Sequence, residues 1–230
     1  MGETAAASSR LYSMMPIWPG KTDPRIRWLY PDGELGWMRE VPAGPIAHPG
    51  GQAYQPGTGF PEGFAPPVLL APRKARSATR PGLAIADIDG SAGSRFWVVS
   101  DRARSFFLAS DPEAFRFHPL DIALDDGGPY DGPRYWLCDV VRYLDALDHD
   151  RTQCVQSEYP GMRFVEPSPF GKVYVRRDMV GEAQIFRPLL SHKIYCSGDF
   201  RDRFKASGLI GGFAAVGVIS GDQPALTRTA

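Results

Sequence analysis

Phe96-Trp97-Val98-Val99, followed at once by Ser100-Asp101, limits the possible folds of this chain more than any other stretch. An unbroken run of aromatic and β-branched side chains suits a pleated strand buried on both faces. A serine hydroxyl at the next position can accept from backbone N–H groups two or three residues on. Asp101 sets negative charge against the positive end of a helix. A helix over 101–109 is therefore expected, with Ala103, Phe106, Phe107 and Leu108 on its apolar side and Arg102 and Arg104 turned to water. Asp111-Pro112 ends it, because the residue before a proline is driven out of the helical region. Phe115 and Phe117 then alternate with Arg116 and His118, the pattern of a half-buried strand. Strand, capped helix and returning strand fit an α+β layer.

The same order recurs, more weakly, near the C-terminus. Val173-Tyr174-Val175, Gln184-Ile185-Phe186-Arg187 and Lys193-Ile194-Tyr195-Cys196 read as strands, and Ser197-Gly198-Asp199 opens a second helix. Phe200, Phe204 and Leu209 form its apolar stripe, Arg201, Arg203 and Lys205 its wet side, and Gly208 suits the left-handed residue that closes a helix. A closing strand is expected over 213–219.

The front of the chain is different. Residues 1–90 hold 13 of the 22 prolines and 12 glycines, which interrupt almost every candidate element. Arg25–Tyr30 alternates like a strand, ends at Pro31-Asp32-Gly33 and can pair with Leu35–Val41. Val68-Leu69-Leu70 and Leu83–Ile88 are further short elements, and 44–67 is a long loop. Trp18, Trp28 and Trp37 are too large to leave idle in disorder. Residues 1–80 are thus expected to wrap, as a Pro/Gly-rich region, on an α+β domain over 81–220 whose sheet is mostly antiparallel with a few short helices.

Charge is balanced overall, with 26 basic and 26 acidic residues, so nothing global suggests a nucleic-acid or membrane partner. Its distribution is uneven. Residues 111–150 contain ten Asp and Glu against three Arg, a local net of −7. Asp121, Asp125, Asp126, Asp131, Asp145, Asp148 and Asp150 are the candidate partner-binding residues. They read either as an acidic face for a basic partner or as a solvated loop that keeps the protein soluble. Asp125-Asp126-Gly127-Gly128 is a turn, and Tyr135–Val141 a strong strand that leads to Asp145-Ala146-Leu147-Asp148.

The usual signatures of catalysis are missing: no C-x-x-C, H-x-x-x-H, G-x-G-x-x-G or G-x-S-x-G occurs. Cys138, His149 and Cys154 match no standard zinc spacing. Asp87 and Asp89 read as a turn in preference to a cation site. His192 and Cys196, four apart on a strand, lie about 13 Å from each other, too far for a thiolate pair. No metal or cofactor is expected. Three widely spaced cysteines and a front lacking signal-peptide order make the cytoplasm the expected compartment.

Taken in order, Phe96–Asp101, Asp111–Phe117, Tyr135–Val141, Leu144–Asp148, Ile185-Phe186-Arg187, Ser197 and Ala206–Leu209 resemble the bacterial polymorphic-toxin immunity proteins of the myxobacterial type, once a domain of unknown function. The resemblance covers about residues 83–213. It departs at the glycine after Ser197 and at Cys138, where an ordinary apolar residue is expected. It implies binding without catalysis, the partner being a cognate toxin encoded nearby; it implies nothing about oligomeric state. The alternative is a small enzyme or small-molecule-binding module with its site in the Gly/Pro-rich loops.

Overall fold

Ser100 fills the role its position implies. Its Oγ accepts from the Ala103 N–H at 3.2 Å and starts a ten-residue helix. The computed structural model describes residues 11–15, 27–29, 35–36, 59–60, 64, 66, 68–72, 85–90, 96–159, 162–168, 171–214 and 218–220. Within them the chain forms β1 (Leu11–Met15), β2 (Arg27–Leu29), β3 (Leu35–Gly36), β4 (Val68–Ala71), β5 (Ile88–Asp89) and β6 (Trp97–Ser100). There follow α1 (Asp101–Ser110), β7 (Phe115–Leu120), β8 (Ile122–Leu124), β9 (Tyr135–Val140), β10 (Tyr143–Leu144), β11 (Cys154–Tyr159) and β12 (Met162–Pro167). Next are β13 (Val173–Val175), α2 (Arg177–Val180), β14 (Ile185–Pro188), β15 (Ile194–Ser197), α3 (Gly198–Ala206), β16 (Gly212–Ala214) and β17 (Val218–Ser220). Most strand pairs are antiparallel, and three pairs, β4 with β8, β10 with β14 and β13 with β17, are parallel. This is the expected α+β class.

By compactness the chain divides into two units. The first contains the described parts of 11–14, 143–203 and 213–220, and the second those of 15–142 together with 204–212. The expected wrap of 1–80 falls largely outside the described residues, as do Trp18, Trp37, Arg73–Arg76 and most of the loop 44–67.

In the second unit, β5-β6-β9-β7 form an antiparallel sheet. Trp97 on one face meets Phe107 of α1 at 6.1 Å, and Phe107 stacks on Phe115 at 4.5 Å with the rings 5° apart. Phe204 adds an edge-on contact to Phe106 at 5.4 Å. Alternation along the strands sends Phe96, Val98, Leu120, Tyr135 and Leu137 to a second cluster with Trp28, Phe64 and Leu69. Burying a side chain such as Phe107, which has no exposed surface, stabilises by about 1.5–3 kcal/mol. The expected hairpin of the front is present, Trp28 lying opposite Gly36, and β2 then pairs β4 in a four-stranded sheet β3-β2-β4-β8. Pro119 sits within β7, which as an edge strand needs no donor on its open side.

In the first unit, β10-β14-β15-β1-β16 form a five-stranded sheet. Leu11, Ala146, Leu147, Val173, Val175, Val180, Phe186 and Tyr195 make its core cluster. α3 begins as expected: Ser197 Oγ accepts from the Phe200 N–H at 3.1 Å, and Gly208 closes the turn beyond it at φ 68°. The inserted Gly198 does not prevent capping.

Several expectations need correction. Arg104 lies over the Trp136 ring at 4.1 Å instead of turning to water, a cation–π contact that also covers apolar surface. His118, on the side of β7 that the alternation turns away from Phe115 and Phe117, is half-buried edge-on to Phe64 at 4.9 Å. The closing strand over 213–219 is two strands in different sheets, β16 in the five-stranded sheet and β17 paired with β13. Strand β1, the hairpin β11–β12, β8 and α2 had no counterpart in the sequence reading.

Candidate functional site

The acidic segment sorts into structural and exposed carboxylates. Asp139 is fully buried and accepts from the Gly59 N–H at 3.3 Å. Asp111, at the end of α1, pairs with Arg142, which also reaches Glu113 at 3.7 Å. Asp139 and Asp111 are thus buried, whereas Glu113 is exposed.

Of the seven candidates, Asp121, Asp125, Asp126 and Asp131 belong to the second unit and Asp145, Asp148 and Asp150 to the first. Asp121, Asp125, Asp126, Asp131, Asp145 and Asp150 are exposed and Asp148 is half-buried. The turn at 125–128 forms as expected: Gly127 has φ 76°, and the Gly128 N–H donates to Asp126 Oδ1 at 2.9 Å. Asp131 stands beside Tyr130, whose hydroxyl donates to Pro133 O at 3.1 Å. Burial and then the Asp131 charge push the Tyr130 phenol up to about 12. In Asp145-Ala146-Leu147-Asp148 the middle pair is core, with Ala146 0% and Leu147 2% exposed. The flanking acids have local partners. Asp145 pairs with Arg176 at 2.8 Å, and Asp148 Oδ1 accepts from the Arg151 N–H at 3.1 Å.

No group of three or more His, Cys, Asp and Glu suited to a metal ion occurs among the described residues. Asp87 is engaged structurally, accepting from Ser100 Oγ at 2.6 Å and from the Ile210 N–H at 3.1 Å. Burial pushes the Cys196 thiol up to about 12, away from the thiolate a nucleophile needs. Cys154 is also raised, by burial and then by Glu166. A groove of about 310 Å³ beside α1 is lined by Asp101, Arg102, Ser105, Phe106, Ser207 and Leu209, with no His or Cys. Its one carboxylate, Asp101, accepts from Trp136 Nε1 at 2.9 Å.

One surface feature escaped the sequence reading. Pro188-Leu189-Leu190-Ser191 forms a reverse turn, the Ser191 N–H donating to Pro188 O at 3.1 Å, with Leu190 at φ 60°. That third position ordinarily takes Gly or Asn. Among the described residues Leu190 is the one non-glycine with positive φ. The signal available was two leucines directly after a strand-ending proline. No helix among the described residues is long and apolar enough to cross a membrane.

No curated protein sequence matches the chain. A family model does match, that of the immunity protein family Imm11, over residues 40–216. The match takes in most of both units and the whole stretch in which the ordered motifs lie, and by it the chain belongs to the Imm11 immunity protein family.

Proposed function

We propose that this protein neutralises a cognate toxin, encoded close to its own gene, by binding it in the cytoplasm and covering its working surface, without performing a reaction. The family match carries the reading. The exposed carboxylates support a basic face on the toxin as the complement, because a locally acidic surface steers a cationic partner and speeds encounter.

The test uses the purified product of the adjoining toxin gene. The wild-type chain should bind it and protect cells that express it. Changing Asp145, Asp148 and Asp150 together to alanine should slow association roughly tenfold at low salt, with the difference shrinking as salt rises. The same comparison with Asp121, Asp125, Asp126 and Asp131 changed to asparagine tells which unit steers. An association rate and salt dependence unchanged in both variants would remove the acidic segment from the interface, and absence of binding or protection would sink the immunity reading itself.

A further inference from the structure

The geometry points to the Leu189–Leu190 turn as the apolar anchor with which this protein holds its toxin, the partner being a protein with an apolar pocket rimmed by basic groups. This rests on the immunity reading above and gives it a location.

Leu189 is 43% and Leu190 51% exposed, and Val155 is 55% exposed. Single exposed leucines are ordinary; these three belong together. Val155 lies opposite Glu166 in the β11–β12 hairpin, and directly opposed residues share a face. On that face the Glu166 carboxylate accepts from Ser191 Oγ at 2.9 Å and from the His192 N–H at 2.5 Å, the two residues that follow the leucines. The turn and Val155 therefore flank the same carboxylate, and each exposes an apolar side chain to solvent.

The backbone conformation is held against its own preference. An L-residue at φ near +60° is strained, because Cβ crowds the neighbouring carbonyl. Such a residue persists where its surroundings over-determine it. Here they do. The Leu189 N–H donates to Leu144 O at 3.0 Å, the Val165 N–H to Leu190 O at 2.8 Å and the Lys193 N–H to Ser191 Oγ at 3.0 Å. Arg187 Nη1 adds a bond to His192 O at 3.2 Å. Glycine would satisfy every one of these backbone bonds without strain. What leucine adds at this position is side chain, and that side chain is half in water, so little of it serves the protein's own core. A rigid, preorganised apolar projection of this kind loses little conformational freedom when it enters a pocket.

Charge identifies the occupant. β10 pairs parallel with β14, Leu144 opposite Pro188, so Asp145 continues beside Leu189. Asp145 is exposed and paired with Arg176 at 2.8 Å, and Asp148 and exposed Asp150 follow it within five residues, against Lys193 after the turn. An apolar tip with an acidic flank is complementary to a basic protein surface that has a hydrophobic recess, an arrangement of central anchor and charged rim that concentrates binding energy.

The experiment compares wild type, Leu189→Asp and Leu190→Gly for affinity to the purified product of the adjoining toxin gene and for thermal stability. Leu190→Gly relieves the strain while it deletes the contact, so the two roles move in opposite directions. Binding should weaken at least tenfold in both variants while the Tm of Leu190→Gly stays level or rises. Unchanged affinity in both variants, with wild type bound, overturns the anchor and leaves the immunity reading intact. No binding by wild type overturns both. If wild type instead self-associates in sedimentation and Leu189→Asp abolishes this, the turn seats a second copy of the chain and the toxin assignment is wrong.

Discussion

Replacing Ser100 by alanine removes two hydrogen bonds with one oxygen, and the structure allows the cost to be estimated. The cap to the Ala103 N–H is worth about 1 kcal/mol, by the usual loss when a helix N-cap serine becomes alanine. The 2.6 Å bond to Asp87 Oδ1 joins a hydroxyl to a carboxylate, both 4% exposed, and such bonds to a charged group contribute roughly 1.5–3 kcal/mol. Together the loss is about 2–4 kcal/mol, a large share of a stability of roughly 5–15 kcal/mol. Ser197 provides an internal standard. It caps α3 through the Phe200 N–H at 3.1 Å, but its hydroxyl meets the neutral amide oxygen of Gln184 at 2.7 Å. Its removal should therefore cost only about 1–2.5 kcal/mol. At roughly 2–4 °C per kcal/mol for a chain of this size, Ser100→Ala should lower Tm by about 5–15 °C and Ser197→Ala by about half as much. Thermal melts followed by far-UV circular dichroism measure both. A Ser197→Ala loss equal to or greater than that of Ser100→Ala would refute the argument that the buried carboxylate sets the difference.

Gly208→Ala should destabilise by about 1–2 kcal/mol purely through its backbone, since φ is 68° and an added Cβ meets nothing within 4 Å; Gly208→Asn should cost less, and equal urea midpoints for the two would contradict this. Burial pushes the Cys196 thiol up to about 12, well above the ordinary range of a free thiol near 9. The folded state thus keeps this proton longer, so the stability it contributes is whole below pH 9 and is lost as pH rises towards 12. Tm should fall through that window, and Cys196→Ala should remove the earliest part of the fall. An identical pH profile in the variant would count against burial as the cause.

Local chemistry was readable from sequence wherever it acts between neighbours. Both serine caps, the helix end at Asp111-Pro112, the Gly208 closure and the turn at 125–128 each depend on a few adjacent residues, and each is present. The Trp28 hairpin was found because Pro31-Asp32-Gly33 marks its turn. The β11–β12 hairpin has a comparable signal in Pro160-Gly161 between its strands, but polar Gln156, Ser157 and Glu158 hide its period. What depends on distant partners was not readable. Arg104 looks like a surface arginine by helical position, and only Trp136 of β9 makes it part of the aromatic packing. Nothing local shows that Asp145 and Asp148 sit in place to bracket a buried Ala-Leu pair, or that Asp139 is interior. The acidic count over 111–150 therefore overstated the exposed charge. Leu190 is the opposite case: its residue type argues against the conformation it adopts, and the hydrogen bonds that impose it come from Leu144, Val165 and Glu166, in other strands or beside them.

The place of β1 in the five-stranded sheet has a consequence for synthesis on the ribosome. Leu11 pairs with Ser197 and Met14 with Ile194, and β1 stands between β15 and β16. At about 5–20 residues per second of translation, β1 waits on the order of 10–40 s for those neighbours to be made. In that interval most of the second unit, which is largely continuous in sequence, has already left the exit tunnel and can fold. The first unit can close only when late strands capture the early one. An apolar LYSMM segment waiting for its sheet is an open strand edge, the kind of surface chaperones bind and aggregation recruits. A permuted chain that moves 11–15 to follow β17 through a flexible linker would shorten that wait to about a second.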